Sequence, residues 1–319
     1  MNIRPLILWI TFVAMAVIPA LLQNAYWTDV LVFFLIYIIF ATSLRIVIST
    51  GQISFAHPGL AAIGGYCSGA LAINLDLSFW VSLPIAALIS ALTSLVIGYP
   101  TLRIRGVYFF LVTFMFTSLV AVIFGNFWIP TFGGWRGLLD IPRPSSITIP
   151  GLLDIDFSND LAYYYLTFFL TAAVVLATYR LEKTRFAWVF NAIESADRLA
   201  ESVGIHLMRY KLLAFVMAGA MAGAAGALFA HYQRIITPYD FDLQMGILLF
   251  IYIVVGGMGT VLGPLLGVIA IRVLAQYLYQ FREYETMILG IILILFLRFI
   301  PGGLINLFDR VANYLSPKR

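Results

Sequence analysis

Four residues able to do chemistry fall within ten positions: Gln52, Ser54, His57 and Pro58, in "GQISFAHPGL" from 51 to 60. An amide, a hydroxyl and an imidazole together could hydrogen-bond a small polar solute or pass a proton, and the proline removes one backbone donor. His57 has no second ligand at metal spacing. The other histidines, His206 and His231, are scattered, and the single Cys67 excludes a disulfide framework. Arg272, Gln276 and Gln280 make a second polar stripe at four-residue steps, on one face of a helix. A third group, Gly256, Gly257 and Gly259, opens "GGMGTVLGPLLG". Nucleotide-binding GxxxxGK[ST], zinc-binding HExxH and an embedded pair of carboxylates are all missing from the sequence. The embedded acids that proton-driven carriers use are missing from the apolar segments too. These groups suit recognition and passage better than bond-making.

The elements that position them must live in lipid. Of 319 residues, 62% are hydrophobic and 11% charged, against roughly a quarter charged in a soluble domain. The chain therefore reads as an all-α polytopic membrane protein, one transmembrane domain over 1–319. Apolar windows place spans at about 6–22, 30–48, 53–73, 80–98, 107–125, 161–179, 211–230, 245–261, 263–279 and 286–300, about ten helices. The first, with a basic start and no small-x-small cleavage site after it, is expected to be a retained helix rather than a signal peptide. The net charge of +4 implies no nucleic-acid partner, because membrane chains collect cations on one side for insertion reasons. With the N-terminus inside, that side holds fourteen Lys and Arg and the other side four, which predicts cytoplasmic N- and C-termini.

Two connections are long. The outer one, about 126–160, is rich in Gly and Pro and too short for a core of its own, so it is expected to fold over as a periplasmic cap. The inner one, 180–211, repeats Phe186, Val189, Phe190, Ile193, Ala196, Ala200 and Val203 at helical spacing. It predicts one amphipathic helix ending at Gly204. Its stripe suits either the headgroup layer or a soluble partner's groove, and the mixed charge of its polar face weakens the first reading. Phe190, Ile193, Ala200, Val203 and Gly204 are the candidates for such a contact.

A helix running through Pro58 would lose a bond and bend, and in hydrocarbon the freed carbonyl needs protein or water beside it. Gln52, Ser54, His57, Pro58, Gly256, Gly257, Gly259 and Arg272 are thus the pathway candidates. If spans 2–5 and 7–10 are halves, they enter from opposite sides with breaks in spans 3 and 8, the pattern of an inverted repeat with discontinuous helices. Gly64, Gly65, Gly69, Gly219, Gly223 and Gly226 are expected simply to let helices pack closely. His57 on its own is read as a hydrogen-bonding core residue. Arg272, whose burial unpaired would cost at least about 2.5 to 3.5 kcal/mol, is expected to find a structural partner.

Four stretches, "GQISFAHPGLAAIGGY", "LRIRGVYFFLVTF", "AIESADRLAESVGIHLMRYKLLAFVMAGAMAGAAGAL" and "VVGGMGTVLGPLLG", followed by "ILFLRFIPGGL", resemble the LivM-type permeases of branched-chain amino acid ABC transporters. The likeness runs from about Phe33 to Leu304. It implies an ABC importer permease in the bacterial inner membrane, paired with a LivH-like permease, two cytoplasmic ABC ATPases and a periplasmic substrate-binding protein. It also implies Leu, Ile or Val as solute, and ATP and Mg held by the ATPases with no cofactor on this chain. Ala200 to Gly204 follow the spacing of the importer coupling motif, with "RLA" in place of EAA. In "TFGGWRGLLDIP", Trp135-Arg136 replaces the family's small-acidic pair. Relatives of the type also serve urea and short amides. The other classes compatible with the residues are a self-contained carrier or channel, for which the 180–211 helix would be superfluous, and a membrane-embedded assembly or sensory subunit.

Overall fold

The computed structural model describes residues 3–22, 24–104, 106–149, 153–278, 284–300 and 302–307. Gln280, Arg105, Arg282 and the C-terminal tail lie outside the described residues, and with them the expectation for the C-terminus. The described chain is built from helices: α1 (Ile3–Leu22), α2 (Ala25–Ile48), α3 (His57–Asn74), α4 (Phe79–Thr101), α5 (Val107–Asn126), a short α6 (Ile129–Phe132), α7 (Asp160–Leu181), α8 (Arg185–Ser195), α9 (Asp197–Ser202), α10 (Leu207–Gln233), α11 (Leu243–Gly256), α12 (Leu262–Leu278) and α13 (Glu285–Phe299). Among the described residues five of these, α2, α4, α5, α7 and α10, are long and apolar enough to cross a membrane.

Three of the starts are fixed by side chains. Asn24, Asn159 and Asp242 accept backbone N–H groups at the heads of α2, α7 and α11, each at 3.0 Å, filling donors that a helix leaves unpaired. Within the helices, several buried hydroxyls turn back on their own carbonyls, as Ser94 does on Ser90 (2.8 Å) and Thr167 on Tyr163 (3.0 Å), which satisfies the donor in apolar surroundings.

α2 forms the centre and is buried along most of its length. α10 lies along α3 and α4 and crosses α2. The six glycines account for that closeness: a methyl at Gly64 would overlap the backbone of Gly223, one at Gly226 the backbone at Ala61, and one at Gly219 the side chain of Ser94. Gly65 and Gly69 face Ile236 and Leu138 in the same crowded layer, and Gly223 faces Ser90. Small residues let the backbones approach, as the sequence pattern led us to expect.

One end of the bundle carries the long cap, 127–159. It holds a 3-10 turn at Gly134–Arg136 and an antiparallel hairpin of β1 (Ile147–Ile149) and β2 (Leu153–Ile155), with Thr148 opposite Asp154. Rather than resting loosely on the helices, the cap is stitched to the segment after α10. Leu138 and Ile236 exchange backbone bonds of 2.9 and 3.1 Å, and the Ile141 N–H donates to the Arg234 carbonyl at 3.0 Å. His231 adds a buried chain: its Nδ1 lies 2.6 Å from the Pro142 carbonyl, its Nε2 2.9 Å from Ser68 Oγ, and Ser68 Oγ 2.8 Å from Ser82 Oγ. Trp135, the family departure, donates its indole N–H to Asn126 Oδ1 (3.2 Å) and stacks near Tyr239. It is part of the cap's fabric.

Two expectations are corrected. No helix runs through Pro58: α3 begins at His57, and Pro58 sits in its first turn, where a missing N–H costs nothing. The discontinuity is the non-helical stretch 49–56 before it. The inner connection is two helices, α8 and α9, broken at Ala196 (φ −161°, ψ 93°). Gly204, at φ +89°, does end the second one. The Ile205 N–H reaches back to the Ala200 carbonyl at 3.1 Å and the Gly204 N–H to Glu201 at 3.0 Å, a left-handed cap that glycine forms without strain.

Candidate functional site

The break 49–56 is held by two threonines on α5. Thr113 Oγ1 accepts the Phe55 N–H at 3.1 Å, and Thr117 Oγ1 donates to the Phe55 carbonyl at 2.7 Å while accepting the Gly59 N–H at 3.3 Å. Ser54 Oγ accepts the Ala56 N–H at 3.2 Å. Backbone groups freed from helical bonding thus find protein partners, which irregular backbone at membrane depth requires. Gln52, Ser54, His57 and Pro58 are all buried here. His57 has lost all contact with solvent and its ring lies toward the Ser43 backbone, yet neither nitrogen makes a hydrogen bond of good geometry. This departs from the satisfied core histidine expected from the sequence, and such an orphaned buried group calls for a reason.

Close by is the start of α11. A methyl at Gly246 would lie 2.8 Å from the Phe55 ring and 3.5 Å from Pro58 Cγ, so the first turns of α3 and α11 pack together although they run from connections at opposite ends of the bundle. α11 has 14 residues, about 21 Å of helix, short of the roughly 30 Å of a bilayer's hydrocarbon. The connection preceding it runs from 234 to 242. The second discontinuity therefore lies before α11.

Gly256 and Gly257 occupy the turn between α11 and α12, where they permit close packing. A methyl at Gly256 would strike the Gly263 backbone, and Gly257, at φ +116°, lies 2.6 Å by the same measure from the Gly302 carbonyl. Gly259 is exposed, with open space around it. Arg272 stands well away from this turn, partway along α12. Its guanidinium lies 3.7 Å over the Tyr37 ring, with Tyr252 also close enough to act on its charge. The contact found is a cation–π one with Tyr37, in place of the ion pair or carbonyl cap that an arginine in an apolar helix leads one to expect. Gln276, one turn on, bonds the Tyr26 hydroxyl.

The α8–α9 loop presents a different face from the one expected. Phe190, Ile193 and Ala200 are 3%, 1% and 4% exposed. They pack inward on the chain itself, Phe190 against Ile46 and Ala214, because the stripe's first demand is to bury against the nearest apolar surface. Lys211 pins the loop through Asp197 at 2.7 Å. Trp188, Leu199 and Val203 face outward at 77%, 67% and 73% exposure. Only Val203 of the candidate stripe is thus free to meet a partner, and Gly204 is exposed beside it. Burial of Glu194 on α8 raises its carboxyl above the ordinary range, opposed by nearby Arg45. The sequence reading missed Thr113 and Thr117, whose four-residue spacing was the available signal, and Arg45, counted only as a charge.

Comparison with known proteins identifies the family. Residues 26–297 match the family described as the branched-chain amino acid transport system permease component. The chain is 30% identical over 298 residues to the LivM permease protein of the high-affinity branched-chain amino acid transport system of Escherichia coli K12, covering 87% of this chain and 69% of that one. It is 28% identical over 136 residues to the LivH permease protein of the same bacterium, covering 42% and 44%. With the nucleoside ABC transporter permease protein NupC of Lactococcus lactis it shares 26% identity over 197 residues, 57% and 59%. No solved structure gives a significant match. The chain is a multi-pass membrane protein that belongs to the permease component family of branched-chain amino acid transport systems.

Proposed function

We propose that the chain is the permease subunit of an ATP-driven importer. With a homologous LivH-like subunit it forms an inward path for leucine, isoleucine or valine, and it performs no catalysis of its own. The ten apolar helices, α1 to α5, α7 and α10 to α13, cross the inner membrane with the N- and C-termini cytoplasmic, the cap periplasmic and α8–α9 inside. The observation that carries the reading is the meeting of α3 and α11, two helices that start within the bundle from opposite sides. Such a meeting supports a reading as inverted repeats around a solute path. Helix starts carry partial positive charge and suit an amino acid's carboxylate. The orphaned nitrogens of His57 and the polar break mark the wall where the solute passes. A periplasmic binding protein delivers it to the cap, and two cytoplasmic ATPases, which hold ATP and Mg, dock on the exposed apolar residues of α8–α9. Likeness to a nucleoside permease keeps a nucleoside as the second candidate solute, though over less of the chain.

The experiment contrasts two faces of one loop. Leu199→Asp and Val203→Asp place charge where the ATPases would sit, and burying such a charge unpaired typically costs several kcal/mol. The permease should purify intact with its homologous partner but without ATPases, and uptake of labelled leucine should cease. Ile193→Asp, on the buried face, should instead lower the amount of folded permease. Normal uptake by the Leu199 and Val203 variants with no ATPase bound would overturn the importer reading in favour of a self-contained carrier.

A further inference from the structure

Arg45 lies in the last turn of α2, only 6% exposed, with its guanidinium divided between two distant parts of the chain. Its Nε–H donates to the Met258 carbonyl at 3.2 Å, in the α11–α12 turn. Its Nη2 pairs with Glu182, the residue that caps α7. A second anion, Glu194 on α8, lies within its field. A cation at a helix C-terminus is favoured by the dipole alone, and one at the inner face by the insertion bias. Neither needs the group to be buried or its fork shared between two elements.

The neighbourhood gives that sharing a use. Three residues after α2 ends, Gly51, at φ +73°, lies so close to α8 that a methyl there would be 3.3 Å from Glu194 Cα. The end of α8 therefore rests directly on the break 49–56. Beside the guanidinium is a cavity of about 210 Å³, lined among others by Ser49, Glu182, Phe190, Asn191 and Thr260. It borders both α8 and the α11–α12 turn, so the two are not packed solidly against each other there. α2, α7, α8 and the α11–α12 turn thus meet around one side chain.

We infer that Arg45 is a positioning residue for coupling. It keys the placement of α8 to both the α2–α3 break and the α11–α12 turn, so that displacement of α8–α9 from the cytoplasm is passed to the path through its guanidinium. This rests on the importer reading above. The two links separate chemically. Lysine at 45 retains a charge for Glu182 but cannot hold that carboxylate and the Met258 carbonyl together in a rigid fork. Glu182→Gln weakens the ion pair and leaves the bond to the turn.

The test uses the whole complex, permeases and ATPases with the binding protein, in proteoliposomes, and reads the ATP hydrolysed per leucine imported. Arg45→Lys, Arg45→Gln and Glu182→Gln should each retain the ATPases and hydrolyse ATP, while the ATP consumed per leucine rises about fivefold or more, the lower edge of ordinary coupling energies. A merely structural Arg45 would reduce the yield of complex and leave that ratio unchanged in what assembles, and this result would overturn the inference. Should the Arg45 variants fail to assemble, Glu182→Gln decides alone, an unchanged ratio counting against the proposal. A wild-type complex that imports leucine without ATP would overturn the importer reading itself, which the wild-type control shows before any variant is compared.

Discussion

Thr117→Val removes one hydroxyl and nothing else of consequence, since valine has nearly the same shape. Two backbone groups of the break depend on that hydroxyl: the Phe55 carbonyl, which accepts from it at 2.7 Å, and the Gly59 N–H, which donates to it at 3.3 Å. Both lie in buried surroundings, and a buried polar group deprived of its partner costs about 1–3 kcal/mol. The longer second bond belongs at the low end of that range, so the variant should lose roughly 2–4 kcal/mol of stability by the same reckoning. Thr167→Val is the control. Thr167 is fully buried as well, but its hydroxyl bonds only the Tyr163 carbonyl one turn back in its own helix, which keeps its helical N–H partner when the hydroxyl goes. Melting of the detergent-solubilised complex, followed by size-exclusion fluorescence, should place Thr117→Val well below wild type, with Thr167→Val close to it. Thr117→Ser, which restores the hydroxyl, should recover most of the loss. If the valine variants at 117 and 167 melt together, the break does not depend on α5 and the argument for its held geometry fails.

Other outcomes follow from the same geometry. Gly226→Ala would set a methyl 2.7 Å from the Ala61 carbonyl carbon and 3.0 Å from its Cα, an overpacking worth about 1–3 kcal/mol or more; Gly259→Ala, with nothing nearby, should melt like wild type, and equal melting of the two would refute close packing as the glycines' purpose. Arg272→Met strips the cation from between Tyr37 and Tyr252, so the amount of folded protein should fall while uptake per molecule stays near normal; undiminished protein with lost uptake would make Arg272 a solute contact. A cysteine at Ser54, in a background lacking Cys67, should resist a small water-soluble thiol reagent in the resting complex because the site is 1% exposed, and should react during ATP-driven turnover; equal rates in both states would show that the break does not open.

The sequence and structure agree best where apolar length is the signal. α5 and α7 begin within a residue of their expected starts, because a run of Phe, Leu and Val in lipid has few alternatives to helix. The glycines of α3 and α10 were also legible, since spacing of small residues reports helix contact directly. The break was visible only as a polar anomaly. Its position relative to Pro58 was misjudged, because proline at the head of a helix and proline inside one look alike in sequence. Nor could pattern reveal Thr117, which serves a residue 62 positions away, or the direction of the Phe190–Ile193 stripe, since periodicity says that a face is buried and not against what. Arg45 carries the general lesson. An arginine at the end of an apolar helix already has a sufficient explanation in topology, and that explanation hid its contacts.

The chain of bonds through His231 has one more consequence. The Pro142 carbonyl has no proton to give, so Nδ1 carries the hydrogen, Nε2 must accept from Ser68, and Ser68 is left to accept from Ser82. Protons are thus ordered in a single direction from α4 through α3 to α10 and into the cap, and moving the ring proton to Nε2 would leave a bare Nδ1 facing the Pro142 carbonyl, acceptor against acceptor. Three helices and a loop share this arrangement, which ties them to one another at that end. The opposite end has the non-helical break, the cavity beside Arg45 and a two-part loop. On the importer reading proposed above, a molecule fastened this way would work as tongs do: the rivet would lie under the cap, and the jaws would be the ends of the helices beside α8 and α9.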